Sequence, residues 1–265
     1  MTLVDSELPD GDRDVDFIQS LARGLSVIKA FGAESPALTL SDVARATGLT
    51  RAAARRSVLT LQQLGYVRAE GALFALTPKV LELGHAYLSG LTIPQVANPH
   101  LKRLMRETGE TASLSVLDGD HVVHVARVPA GGVITVAINV GARFPAYATA
   151  MGRVLLAGLD DASLGEYLAR VQLEPRTPYT VRDVAALREV LEGVRRDGYC
   201  LADQELSIGL RAIAAPVRDV DGRVVAAANI ATSLATGTLE DLRGMLPRLQ
   251  ECATAIERDL LLVTG

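Results

Sequence analysis

Apolar positions along this chain change their spacing several times, and each change predicts a different element. From Gln19 to Phe31 the residues Leu21, Ala22, Leu25 and Ile28 recur every three or four positions, the signature of a helix that buries one stripe. The stretch from Leu38 to Thr77 predicts a helix, a tight turn, a longer helix and a small hairpin. Thr39 is placed to cap a helix opening at Leu40, with Asp42 as the capping-box acid and Leu40, Val43 and Ala44 on one face. Gly48 closes that helix, Leu49 plugs the turn, and Thr50 caps a second helix over 51–64. In the second helix Ala54, Val58, Leu61 and Leu64 are expected inside, and Arg51, Ala52, Arg55 and Arg56 outside. Gly65 stops it, and Tyr66–Arg68 and Leu73–Leu76 read as two strands around Glu70 and Gly71.

Pro78 has the position of a first-turn proline, opening a connector helix over 78–90 with Val80, Leu81, Gly84, Tyr87 and Leu88 in its stripe. That stripe suits either its own domain or a second subunit. After a helix over 94–107 the spacing shortens to two. Strands are expected at Thr111–Leu117, His121–Val128 and Val133–Val140, parted by turn residues at 118–120 and 129–132. Helices follow near 149–158, 160–170 and 183–197, then strands at 199–203, 211–218 and 223–232, with Asp221-Gly222 turning the last pair. A helix over 239–262 ends the chain. The fold class is therefore α+β in two domains. A winged helix-turn-helix spans 17–77, a linker 78–92, and an antiparallel sheet flanked by helices 93–265. Residues 1–16 are acidic, lack periodicity and read as a disordered tail.

Charge sharpens the first domain. The chain carries a net charge of −4, but six acids against one arginine fall in residues 1–16. Residues 20–80 hold eight Lys and Arg against Glu34, Asp42 and Glu70. A local basic face, not the average, is what a duplex requires. Two small residues among three arginines let the 51–64 helix approach a major groove while the guanidiniums reach phosphates or guanine edges. Arg68 on the wing is the expected phosphate contact. Any one of these arginines taken alone reads equally well as solvated surface.

At 49% hydrophobic residues the chain can fill two cores, and it has no apolar run long enough to span a bilayer. The acidic N-terminus is unlike a signal peptide, so a cytoplasmic location is expected. Cys200 and Cys252 show no metal spacing, and nothing in the sequence calls for a metal or cofactor. His121 and His124, three apart on one strand, should lie on opposite faces and share no ion. Asp203, Glu205 and Arg211 read as structural ion pairing, and Cys200 has no histidine partner, so no catalytic constellation is present.

Two features point to a ligand. Thr149 can cap a helix whose first turn, Ala150-Met151-Gly152, exposes backbone N–H groups suited to a carboxylate. A plain capped helix with a packing glycine fits the same residues. Asn229 lies in the apolar run VVAAANIA and needs a partner if buried, either a ligand or a backbone group.

Taken in order, SLARGLSVIKAF, LSDVARATGLTRAAARRSVLTLQQLGYV, FALTPKVLELGHAYL, GARFPAYATAMGRVLLAGL, GYCLADQELSIGLRAIAAPV and DGRVVAAANIAT resemble the IclR family of bacterial transcriptional regulators. The resemblance runs from about Phe17 to the end. RAAARR and PAYATAMGRVLLA are most similar to its regulators of β-ketoadipate-pathway genes. The wider family also controls other carboxylate pathways, such as glyoxylate genes. The resemblance implies a DNA operator as partner, a linker helix that dimerises the chain, dimers that pair into tetramers, and a GAF-like domain binding a small organic acid. It assigns DNA contacts to Thr39, Thr50, Arg51, Ala52, Arg55, Arg56 and Arg68. It assigns the effector to Thr149, Ala150, Met151, Leu210, Ala212, Asn229 and Ala231. Ser57, where the family usually has an apolar residue, and Ala54, often Val, depart from the pattern and should loosen the packing beneath the recognition helix.

Overall fold

The computed structural model describes residues 17–32, 35–83, 92–130 and 139–264, and the chain divides into two compact units, Met1–Tyr87 and Leu88–Gly265. The acidic 1–16 segment, most of the 78–90 connector and most of the expected 133–140 strand lie outside the described residues.

In the first unit, helices α1 (Gln19–Lys29), α2 (Leu40–Thr47) and α3 (Arg51–Gln63) precede a sheet of β1 (Ala37–Leu38), β2 (Val67–Glu70) and β3 (Leu73–Leu76), ordered β1-β3-β2 and antiparallel. The strand β1 was too short to show as a period. Thr39 and Asp42 form the full capping box, and Gly48 ends α2 at φ 66°, a left-handed conformation that a side chain would oppose. Val27, Phe31, Val43, Ala54, Val58, Leu61, Val67 and Phe74 make the core. Two expectations fail here. On α1, Leu21 and Leu25 are 61% and 48% exposed, and the core instead takes Val27 and Phe31. On α3, Leu64 is 53% exposed, and Ala53 goes inside. Leu21, Leu25, Leu64 and Leu83 line one open groove together with Ser57. Of the α1 stripe, Leu21 and Leu25 thus lie on the surface of this unit, while Ile28 packs against its core. After Thr77, a 3-10 turn over Pro78–Val80 replaces the first turn of the expected helix.

In the second unit, a sheet ordered β6-β5-β4-β9-β8-β7 is antiparallel throughout. Its strands are β4 (Thr111–Asp118), β5 (His121–Val128), β6 (Arg143–Pro145), β7 (Cys200–Asp203), β8 (Leu210–Arg218) and β9 (Val224–Ser233). Helices α4 (Thr92–Thr108) and α8 (Leu239–Thr264) cover one face through Leu101, Leu104, Leu249 and Ile256. Helices α5 (Ala150–Ala157), α6 (Asp161–Arg170) and α7 (Val184–Asp197) cover the other through Leu155, Leu164, Tyr167 and Leu191. The edge strand β6 was not anticipated.

Strand β5 carries a bulge. Leu114 pairs with Ala126 and the next residue, Ser115, pairs with His124, so Val125 is an extra residue. Val125 and Ala126 both join the core under α4 and α8. From there the alternation of β5 is shifted by one position, and Arg127 falls on the same face as His124.

Candidate functional site

The first candidate surface is the outer side of α3. Its N-cap Thr50 accepts a hydrogen bond from the Ala53 N–H at 3.2 Å, which fixes where the helix starts. Burying Ala53, Ala54, Val58 and Leu61 turns Arg51, Ala52, Arg55 and Arg56 outward, and all four are exposed. Among the described residues the three guanidiniums make no ion pair and no side-chain hydrogen bond. A row of uncompensated cations around one alanine is a surface built for a polyanion. Thr39 is more committed than Thr50. Its hydroxyl both accepts from Asp42 N–H and donates to the Asp42 carboxylate, and its backbone N–H and carbonyl are engaged by Asp42 and Val43, whereas the Thr50 O–H is free to donate among the described residues. Arg68 on the wing is exposed but paired with Glu70 on the same strand, a competition not anticipated for a phosphate contact. Ala54 is fully buried and Ser57 half-buried at the groove, so the two departures touch the packing side and leave the arginine face intact.

The second candidate is a cavity between α5 and the sheet. All seven residues expected around an effector line it: Thr149, Ala150, Met151, Leu210, Ala212, Asn229 and Ala231. The structure adds residues that the periodicity did not reveal, chiefly His124, Arg127, Phe144, Glu205 and Leu206. The cavity is small, about 40 Å3, with mainly apolar walls and a few polar groups.

Helix α5 is held over the cavity by close backbone packing. Thr149 Oγ1 accepts from Gly152 N–H at 3.0 Å, and a Cβ at Gly152 would stand 2.1 Å from the Ala146 carbonyl oxygen. Gly152 is thus a packing glycine in a capped helix, and Thr149, Ala150 and Met151 of that capped end line the cavity.

Below it, Arg153 is 2% exposed and makes a two-pronged ion pair with Glu205, while its Nε donates to the Tyr147 carbonyl at 2.8 Å. Burial works against the Arg153 charge, and the bonds to Glu205 more than restore it. Gln204, the residue before this partner, has φ 59°, and Thr177 and Thr180 bind the Gln204 and Glu205 carbonyls. The backbone is turned and pinned so that Glu205 meets Arg153. Asp203 instead pairs with its cross-strand neighbour Arg211 at 2.8 Å. Both acids at this end are thus neutralised by structural pairs, as expected for Asp203 and with an unforeseen partner for Glu205. Burial pushes the Cys200 thiol up to about 11, far from a reactive thiolate.

On the sheet side the polar groups are less satisfied. His124, 2% exposed, lies 3.1 Å from Ser115 Oγ through Nδ1, and Ser115 Oγ lies 3.0 Å from Met151 Sδ. Burial, and then the charge of Arg127, lowers the His124 pKa to about 4, so its ring is neutral near neutral pH. His121, three residues earlier, is exposed on the opposite face. Among the described residues no group of three or more His, Cys, Asp and Glu side chains is gathered for a metal. Burial also lowers the Arg127 pKa, and among the described residues its guanidinium has no ion pair and no hydrogen bond. Asn229 is 2% exposed, and among the described residues its Oδ1 has no partner.

The chain matches the model described as the IclR helix-turn-helix domain over residues 20–71 and that described as bacterial transcriptional regulator IclR C-terminal over 85–258. It is similar to the Pca regulon regulatory protein of Pseudomonas putida, 43% identical over 93% of this chain and 84% of that one. A solved structure from Rhodococcus sp. RHA1 is 52% identical, covers 93% of this chain and 100% of its own, and superposes with a TM-score of 0.84. An IclR homolog from Microbacterium hydrocarbonoxydans, solved in complex with 4-hydroxybenzoate, is 30% identical over 92% of this chain and 99% of its own, with a TM-score of 0.79.

Proposed function

This chain belongs to the IclR family of bacterial transcriptional regulators, and from that premise we propose that it is an aromatic-acid sensor controlling catabolic genes of the β-ketoadipate type. Family membership makes it a DNA-binding regulator with an effector-binding unit, and its relatives are regulators, not enzymes. The choice of effector rests above all on the cavity under α5, a small space with apolar walls including Phe144, Met151, Leu206 and Leu210. Such walls suit one flat ring better than a flexible hydroxylated chain, which would strand polar groups there. The likeness to the Pca regulon protein and to the 4-hydroxybenzoate complex supports the same class.

On the DNA side, two α3 helices of a homodimer enter successive major grooves. Arg51, Arg55 and Arg56 reach phosphates or bases, Ala52 permits close approach, and the Thr50 hydroxyl and Arg68 contact the backbone. The exposed leucines of α1 and α3 support a second copy as the cover for the groove they line. No helix among the described residues is long and apolar enough to cross a membrane.

The test is operator binding by the full chain, followed by fluorescence anisotropy with and without benzoates, protocatechuate and aliphatic dicarboxylates. An aromatic acid should shift DNA affinity, and DNA should shift the affinity for that acid by the same factor. Indifference to every aromatic acid, with a response to an aliphatic one, would overturn the assignment.

A further inference from the structure

The end of α3 is tied to the start of the linker through three consecutive carbonyls. Helix α3 closes in a Schellman motif: Gly65, at φ 83°, donates its N–H to the Gln62 carbonyl at 3.0 Å, and Tyr66 donates to the Leu61 carbonyl at 2.9 Å. The carbonyls of Leu64, Gly65 and Tyr66 are left to be met from elsewhere. All three are met by the two residues that flank Pro78. The Thr77 N–H donates to Tyr66 at 2.9 Å, the Thr77 hydroxyl to Gly65 at 2.6 Å, and the Lys79 ammonium to Leu64 at 3.0 Å.

Two of these contacts do more than extend the hairpin. The Thr77 hydroxyl also accepts the Lys79 N–H at 3.3 Å, which caps the 3-10 turn over Pro78–Val80. One oxygen thus closes the recognition helix and opens the linker. The Lys79 side chain lies across Gly65, where a Cβ would stand 3.5 Å from Lys79 Cδ, and its ammonium is 5.3 Å from the centre of the Tyr66 ring. The negative end of the α3 dipole and an aromatic face both favour a cation there. An exposed lysine ordinarily keeps its rotamer freedom; this one is held by a carbonyl and a ring.

The joint has leverage over the DNA contacts. Helix α3 has 13 residues, so at about 1.5 Å per residue it is about 20 Å long. The joint is at its C-terminal end and Arg51 at its N-terminal end. A turn of about 10° at the joint moves Arg51 by about 3.5 Å, close to the rise of one base pair.

Resting on the homodimer reading above, we propose that Thr77 and Lys79 are positioning residues that hold the recognition helix at a fixed angle to the linker and so set the half-site spacing that the dimer accepts.

The probe is an operator selected by the full chain from random duplexes, together with duplexes whose half-sites are moved one or two base pairs closer or further apart. Fluorescence anisotropy gives the affinity for each. Wild-type protein should bind the displaced half-sites about tenfold or more weakly. Lys79→Met and Thr77→Val should each reduce that preference to about threefold or less. Thr77→Ser keeps the hydroxyl and should keep the wild-type profile. If Lys79 is only a phosphate contact, Lys79→Met weakens every spacing alike and lowers the salt slope by about one. If the two residues serve only folding, their variants lower the melting temperature and weaken every spacing in proportion. Either result, with the spacing preference intact, overturns the proposal. Should Thr77→Val misfold, Lys79→Met at an exposed side chain still decides. Wild-type protein that is indifferent to spacing, or binds as one copy per duplex, overturns the dimer reading itself, a result distinct from failure at the joint.

Discussion

Neutralising Glu205 should destabilise the second unit far more than a change at the surface would. The Arg153 side chain is 2% exposed and that of Glu205 12%. Glu205→Gln preserves shape and one acceptor but leaves a guanidinium almost wholly out of water without its counter-charge. Breaking a buried pair from one side costs about 3–5 kcal/mol. The surviving bond from Arg153 Nε to the Tyr147 carbonyl, and the remaining glutamine oxygen, argue for the lower end, about 3 kcal/mol. For a unit of this size that lowers the melting temperature by about 6–12 °C. Calorimetry of the full chain is the assay, with the transition of the second unit followed separately. The double change Arg153→Met with Glu205→Leu should cost clearly less than the sum of the single changes, because neither charge is then stranded. A loss below about 1 kcal/mol for Glu205→Gln, or strict additivity in the double variant, would show that water or rearrangement compensates Arg153 and that the burial argument is wrong.

Two glycines in helices of the same unit should respond with opposite signs. Gly152→Ala gains about 1 kcal/mol of helix propensity but drives a Cβ to 2.1 Å from a backbone oxygen that cannot easily yield, so a net loss of about 2 kcal/mol or more is expected. Gly165→Ala in α6 meets nothing within 4 Å and should stabilise by up to about 1 kcal/mol; denaturant midpoints of both variants check the pair. The third prediction concerns pH. The folded pKa of His124 is near 4 against 6.5 when unfolded, so the unfolded chain binds its proton first. Stability is full above about 6.5 and falls as pH drops towards 4, by about 3 kcal/mol from this group. His124→Gln should flatten that part of the stability–pH curve, and an unchanged slope would assign the effect to other groups.

Most of the fold is legible because its elements obey one period over many residues and end in recognisable caps. The Thr39–Asp42 box, the Thr50 and Thr149 caps and the Asp221-Gly222 turn are local chemistry, and they set the bounds of α2, α3, α5 and the β8–β9 hairpin. The failures have a common physical source. Periodicity shows that a helix has an apolar stripe but not what covers it. On α1 the strongest stripe, Leu21 and Leu25, faces out, and the unit's own core uses Val27 and Phe31. Nothing in the local sequence separates a stripe meant for one's own core from a stripe left for a second surface.

The cavity shows the same limit at finer scale. Thr149, Ala150 and Met151 were visible because a cap and a run of small residues are local signals, and Asn229 because an amide interrupts an apolar strand. Arg127 was not, although it lies three residues from a histidine already singled out. Alternation assigns 124 and 127 to opposite faces, and that rule correctly separates His121 from His124. Between 124 and 127 one additional residue cancels it. The run HVVHVARV contains no glycine or proline to announce the bulge; Val125 and Ala126 are simply both accepted by the core beneath α4 and α8. A packing decision on one face of the sheet thereby selects the charge on the other. The charge of the cavity is therefore a property of the tertiary fit, and changes to Val125 or its neighbours in the far core are expected to alter ligand recognition without touching the ligand.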